Sequence, residues 1–148
     1  MTRISIDVGQ VKLLRLIRAN ARLSVAALGR LLRVPASTVY DNYLRLRPVI
    51  RRHSSLVDFQ GLGYNCCAFI KCNVPASQRL ALYEYLRGHP VVNSARVVND
   101  RSGLLVEVVE RNPARVSLFV EELEEKFGVR DAVTHFIAEE FAREAFLS

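Results

Sequence analysis

The sequence predicts an α+β chain in two parts, and three observations predict it. Before residue 50, apolar residues recur at helical spacing with caps and breakers between them. After residue 63 the pattern changes to strand, helix, strand, strand, helix, strand. The charge divides near the same boundary: residues 1 to 60 hold 11 Lys/Arg against 3 Asp/Glu, a net +8, whereas residues 61 to 148 hold 10 against 12, a net −2. A chain of 148 residues can be one ordinary domain or two small ones, and this shift favours two. The expected division is a helical domain over 1–50, an extended linker strand over 51–63, and a sheet domain over 64–148.

The first helix is expected to begin at Asp7, a suitable N-cap, and to carry Val11, Leu13, Leu14, Leu16 and Ile17 inward before ending near Asn20. Ser24 caps a second helix whose Ala27, Leu28, Leu31 and Leu32 face the first. Arg33-Val34-Pro35 interrupts it, and a third helix follows from Ala36 to Arg47 with Val39, Tyr43, Leu44 and Leu46 inward. Pro48 ends that helix. Two short helices joined by a tight turn, basic overall and polar where the second one starts, are how a helix-turn-helix reader of DNA is written. Val49 to Val57 is short, β-rich and basic and reads as an extended strand, and Gly61 and Gly63 mark a turn after it.

In the second part, Tyr64 to Val74 reads as a strand and Ala76 to Arg87 as an amphipathic helix stopped by Gly88-His89-Pro90. Val91 to Val98 and Leu104 to Val109 are strands joined by a turn, and Pro113 opens a helix with Val116, Phe119, Val120, Leu123 and Phe127 on one stripe. Glu121, Glu122, Glu124 and Glu125 fall on its wet side. Val129 to Ala138 supplies a fourth strand, and 139–148 a short helix or a tail. Two βαβ units in succession give a split, ferredoxin-like βαββαβ sheet with helices on one face only. Its other face is expected to expose the alternating apolar set of residues 64–74, a patch that dimerisation would cover.

Cys66, Cys67 and Cys72 crowd into one strand, where alternation sends Cys66 and Cys67 to opposite faces. Cys66 and Cys72 share a face but lie about 20 Å apart, too far to hold one metal. His53, His89 and His135 are dispersed, so neither a metal nor another cofactor is expected. The sequence shows neither an apolar run of membrane-spanning length nor the apolar core of a signal peptide, so the chain is expected in the cytoplasm.

The residues resemble the Lrp/AsnC family, the feast/famine transcription regulators of bacteria and archaea. Ile6-Asp7 and Leu13-Leu14 match its opening helix, and Asn20-Ala21-Arg22-Leu23-Ser24 with Leu28, Leu31 and Leu32 match the next element. Ser37-Thr38-Val39 and Leu46 match its recognition helix, Val49-Ile50 the exit from it, and Leu62-Gly63-Tyr64 the start of its sheet domain. The resemblance implies a winged-type helix-turn-helix domain followed by the ferredoxin-like domain. It also implies a homodimer, in this family often assembled further into tetramers or octamers, that grips a roughly palindromic site in double-stranded DNA. Four departures stand out. Gln10 replaces a second Asp, Asn42 replaces an Arg in the middle of the recognition helix, and Pro35 stands where a Ser often caps that helix. In the loop between the second and third strands, where amino-acid-responsive members carry Gly-Asp-Tyr/Phe-Asp, this chain has Asp100-Arg101-Ser102-Gly103.

With the third helix in the major groove, Ala36, Ser37, Thr38, Tyr40 and Asn42 are the candidate base readers, Asn42 by pairing with an adenine edge. Arg22, Arg33, Arg45, Arg47, Arg51 and Arg52 are the candidate phosphate contacts. Asn99, Asp100, Arg101, Ser102 and Gly103 form a candidate loop for a small-molecule effector. Two other readings are open. Val49-Ile50-Arg51-Arg52-His53 resembles a stretch of sirohaem decarboxylases, which would give a tetrapyrrole enzyme with Arg51, Arg52 and His53 on the carboxylates. A regulator-like assembly or ligand-sensing protein with a degenerate DNA reader is the other.

Overall fold

The computed structural model describes residues 5–98 and 103–146. The chain forms two compact units, one of Met1–Leu56 with Phe141–Ser148 and one of Val57–Glu140. Residues 141–146 group with the helical unit.

In the helical unit, α1 spans Val8–Ala19, α2 Val25–Leu32 and α3 Ala36–Leu46. Asp7 opens α1 through a capping box: its carboxylate accepts from the Gln10 N–H at 2.8 Å, and the Gln10 side chain accepts from the Asp7 N–H at 3.1 Å. Ser24 opens α2 by accepting from the Ala27 N–H at 3.1 Å. The chain leaves α2 at Arg33 in the left-handed region, φ 58°, and begins α3 after Pro35. Gly29 makes this turn tight. A Cβ there would lie 2.9 Å from the Val34 carbonyl oxygen, and the Val34 N–H donates to the Gly29 carbonyl at 3.0 Å.

Leu13, Ile17, Leu28, Val39 and Leu46 form the buried core of this unit, with Leu14, Leu16, Leu23, Leu32, Val34, Tyr43 and Ile50 packed around it. Two residues expected inside lie outside. Val39, Tyr43 and Leu46 make an i, i+4, i+7 line along α3 that faces its neighbours, so Leu44, a further 100° round the helix from Tyr43, is exposed. On α2 the Leu28 and Leu32 edge faces the core, and Leu31 is likewise exposed. The strand expected over 49–57 is absent. The N–H groups of Val49 and Ile50 both bond back to the Leu46 carbonyl as the helix unwinds, and residues 50–58 carry no regular element. With no ladder partner, β propensity alone leaves this wing segment irregular.

The second unit holds β1 Cys66–Asn73, α4 Arg79–Gly88, β2 Val92–Val98, β3 Gly103–Glu110, α5 Pro113–Phe127 and β4 Arg130–Phe136. The strands form one antiparallel sheet in the order β2-β3-β1-β4, as the βαββαβ pattern requires. A single 3₁₀ turn, Gln60–Leu62, ends at Gly63 with φ 84°. Asn112 caps α5 by accepting from the Arg115 N–H at 3.1 Å, Pro113 occupies the first turn, and Gly128 closes the helix at φ 62°.

One sheet face packs on α4 and α5 through Cys66, Ala68, Ile70, Cys72, Leu104, Val106 and Val108 against Leu82, Leu86, Val116, Phe119 and Leu123. The alternating apolar set of the first strand thus points at the helices, which corrects the expectation that it lines the open face. The side chains opposite it in β1 are Cys67, Phe69, Lys71 and Asn73. Register sets Ser94, Glu107, Phe69 and His135 in one row across all four strands, and Arg96, Leu105, Lys71 and Val133 in the next. The open face is therefore mixed in polarity. Residues 139–146 form no helix; Glu144 is tied to α1 instead, its carbonyl and carboxylate accepting from Arg18 at 2.7 and 3.1 Å.

Candidate nucleic-acid interface

The start of α3 is exposed. Ala36, Ser37, Thr38 and Tyr40 are all exposed, as are Asp41, Leu44 and Arg45. This follows from the inward Val39–Tyr43–Leu46 line, which leaves these positions to solvent. The surface offers two small hydroxyls, a phenol, a carboxylate and a leucine methyl pair, all able to reach base edges. Eleven residues give α3 a length of about 16 Å, enough to lie along a major groove.

Asn42 belongs elsewhere. It is half-buried, and its Oδ1 accepts from Gln10 Nε2 of α1 at 3.5 Å. Its Oδ1, one of the two groups that pairing with an adenine edge would use, thus faces α1. Gln10 and Asn42 were both singled out as departures from the family pattern, and the structure brings the two together. Sequence alone gave no sign of this pair, which lies 32 residues apart.

The arginines fall at both ends of α3. Arg33 is exposed three residues before it, at the turn, and Arg22 is exposed before α2, with its N–H donating to Asn20 Oδ1 at 3.0 Å. Arg45 and Arg47 lie at the far end of α3, and Arg51 and Arg52 on the segment that follows, all exposed. Arg30, exposed on α2, has the same chemistry and was not among the expected contacts. His53 does not stand with Arg51 and Arg52 as a carboxylate clamp: its Nε2 lies 3.2 Å from the Tyr43 hydroxyl and its ring stacks on Tyr43.

Of the candidate effector loop, Asn99, Asp100, Arg101 and Ser102 lie outside the described residues, and Gly103 is buried as the first residue of β3. Cys66 and Cys72 are buried on the helix-facing side of β1, Cys67 is on the other side, and none of the three is in a disulfide. Burial raises the Cys66 thiol, with Cys67 and the Glu110 carboxylate adding to the effect. Burial alone pushes Cys72 up to about 11. Among the described residues no three His, Cys, Asp or Glu side chains gather as a metal site, and no helix is long and apolar enough to cross a membrane.

No family model matches the chain. It is 26% identical over 138 residues to an HTH-type transcriptional regulator of Pyrococcus abyssi, covering 91% of this chain and 87% of the relative. The HTH-type transcriptional regulator FL11 of Pyrococcus horikoshii is 19% identical over 121 residues, 80% of each chain. Among solved structures, LrpC of B. subtilis superposes with a TM-score of 0.84 at 17% identity, over 93% of this chain and 98% of that one. A transcriptional regulator of Neisseria meningitidis, solved as a complex with L-Met, gives 0.83 at 19% identity over 94% of both chains. AsnC of E. coli gives 0.79 at 17% identity over 94% and 96%.

An exposed, arginine-flanked helix pair ahead of a sheet domain is thus what this chain shares, over nearly its full length, with proteins described as HTH-type transcriptional regulators. Its architecture, three helices and then a βαββαβ sheet, is that of the Lrp/AsnC regulators.

Proposed function

We propose that this chain acts in the cytoplasm as a dimer or higher oligomer that binds a specific, two-fold related site in double-stranded DNA. Each α3 enters a major groove. Ser37, Thr38 and Tyr40 meet base edges, with Ala36 placed to touch a thymine methyl. Arg22, Arg33, Arg45, Arg47, Arg51 and Arg52 neutralise phosphates and fix the register. The observation that carries this reading is the exposure of Ala36, Ser37, Thr38 and Tyr40 at the start of α3, with exposed arginines before and after the helix.

Dimerisation through the open sheet face is supported by its composition. Phe69, Leu105 and Val133 lie among Glu107, Arg96, Lys71 and His135, so a two-fold partner can cover the apolar groups while meeting charges of opposite sign. A small-molecule effector held near Asn99–Gly103 belongs to the same reading, supported by the L-Met complex of the Neisseria regulator.

Selection of bound sequences from random duplex DNA, repeated with a panel of metabolites, tests all three parts. The expected result is a symmetric motif, retained as a complex of two or more chains and shifted by one metabolite. A monomer in solution, or no enrichment at low salt, would contradict it.

A further inference from the structure

Gln10 is the buried polar side chain of the helical unit among its described residues, 6% exposed. Both ends of its amide are used. Oε1 accepts from the Asp7 N–H at 3.1 Å, and Nε2 donates to Asn42 Oδ1 at 3.5 Å. The first bond belongs to the cap of α1, and the second crosses to α3.

The rest of the packing between these helices is apolar, through Leu13, Ile17, Leu28, Val39 and Leu46. Such burial is non-directional: the inward Val39, Tyr43 and Leu46 line decides which face of α3 is covered, but it sets the rotation of the helix less finely than a directional bond does. A buried amide donor is different, because leaving it without an acceptor is costly and its acceptor must lie in one direction. Rotation matters on α3. A helix with its side chains is about 10–12 Å across, so a turn of roughly 20° carries the tips of its side chains by about 2 Å. That distance separates a hydrogen bond to a base edge from none.

We propose that Gln10 is a specificity-determining positioning residue, acting from α1 through Asn42 to set the rotation of α3. Ser37, Thr38 and Tyr40 then meet the bases they meet because of an amide that itself faces the protein interior. This rests on the reading of α3 as the DNA-recognition helix.

The test compares the wild type with Gln10→Met, Asn42→Ala and their double mutant. Each is measured for affinity on the selected site and on random duplex at one salt concentration, for its salt slope, and for thermal unfolding. Methionine fills nearly the same volume without the hydrogen bonds. The expected result is a drop of about tenfold in the ratio of specific to random affinity for each single variant, with no further drop in the double mutant and an unchanged salt slope. Gln10→Glu should keep the ratio: its carboxylate still accepts from Asp7, and Asn42 can flip its amide to donate. Should Gln10→Met not unfold cooperatively, Gln10→Asn, whose reach is one methylene shorter, replaces it with the same expectation.

An unchanged ratio in the folded Gln10 variant overturns the proposal, and so do losses that add in the double mutant, since Asn42 would then act on its own. A wild type with no preference among duplexes would overturn the recognition-helix reading itself, and that is seen before any variant is compared.

Discussion

His53 Nε2 lies 3.2 Å from the Tyr43 hydroxyl, and the two rings stack with centroids 6.5 Å apart and planes 14° from parallel. The irregular segment after α3 is therefore fastened to α3 one turn before its end, and the two residues preceding His53 are Arg51 and Arg52. His53→Ala should release these arginines from a fixed place. A hydrogen bond of this kind contributes about 1 kcal/mol, so affinity should fall roughly fivefold on specific and random duplexes alike. Tyr43→Phe, which keeps the ring and loses the hydroxyl, should fall by less. A selective loss on the specific site would show that this segment takes part in base reading instead.

Arg33 carries two burdens that one substitution separates. It sits at φ 58° closing α2, where a non-glycine residue is disfavoured by about 1–2 kcal/mol, and it is an exposed candidate for a phosphate. Arg33→Gly should raise the unfolding midpoint of the helical unit by several degrees. The same variant should bind all duplexes more weakly, with its salt slope flatter by about 0.9 for one lost phosphate contact. Thermal unfolding and a salt titration of binding check the two halves independently. Unchanged binding would assign Arg33 to the turn alone.

Gly29 is the matching case on the inner side of that turn. Its missing Cβ is what lets the Val34 carbonyl approach, since a methyl there would stand 2.9 Å from the oxygen. Gly29→Ala must push α2 and the turn apart, at about 1–3 kcal/mol for an overpacked site. The expected outcome is a lower denaturation midpoint together with weaker DNA binding. Stability held at the wild-type level would mean that the turn yields without strain.

What the sequence made legible is what local chemistry decides. Asp7, Ser24 and Pro113 mark helix starts by caps and backbone preferences that act within a few residues, and all three lie where those preferences put them. What stayed hidden depends on which neighbour a residue meets. Leu31 and Leu44 look like core residues by type, but the inward faces of their helices carry Leu28 with Leu32 and Val39 with Tyr43 and Leu46 instead. The 49–57 stretch has strand composition and no strand to pair with. Glu144, in a stretch read as a short helix or a tail, bonds to Arg18 across 126 positions, and Asn42 meets Gln10 across 32; neither pairing leaves a periodic trace. In the candidate site this means that the exposed hydroxyls and arginines could be read from the sequence, whereas the residues that hold them in place could not.

The cysteines give a prediction that is independent of DNA. Cys72 is buried on the helix face of β1, and burial pushes its thiol from 9.0 up to about 11. At pH 8 about one molecule in a thousand carries the thiolate, the form that alkylating agents attack, so native protein should be modified at Cys72 only after unfolding. The sign of the linked stability effect follows. In the unfolded chain the thiol ionises near its ordinary value, so between pH 9 and 11 the unfolded state loses its proton first. The contribution of Cys72 to stability is whole below pH 9 and declines through that window. Cys72→Val removes the titrating group and keeps an apolar side chain suited to a strand. Urea midpoints measured from pH 8 to 10.5 should fall faster for wild type than for Cys72→Val, and parallel curves would show that the thiol is accessible to water in the folded protein.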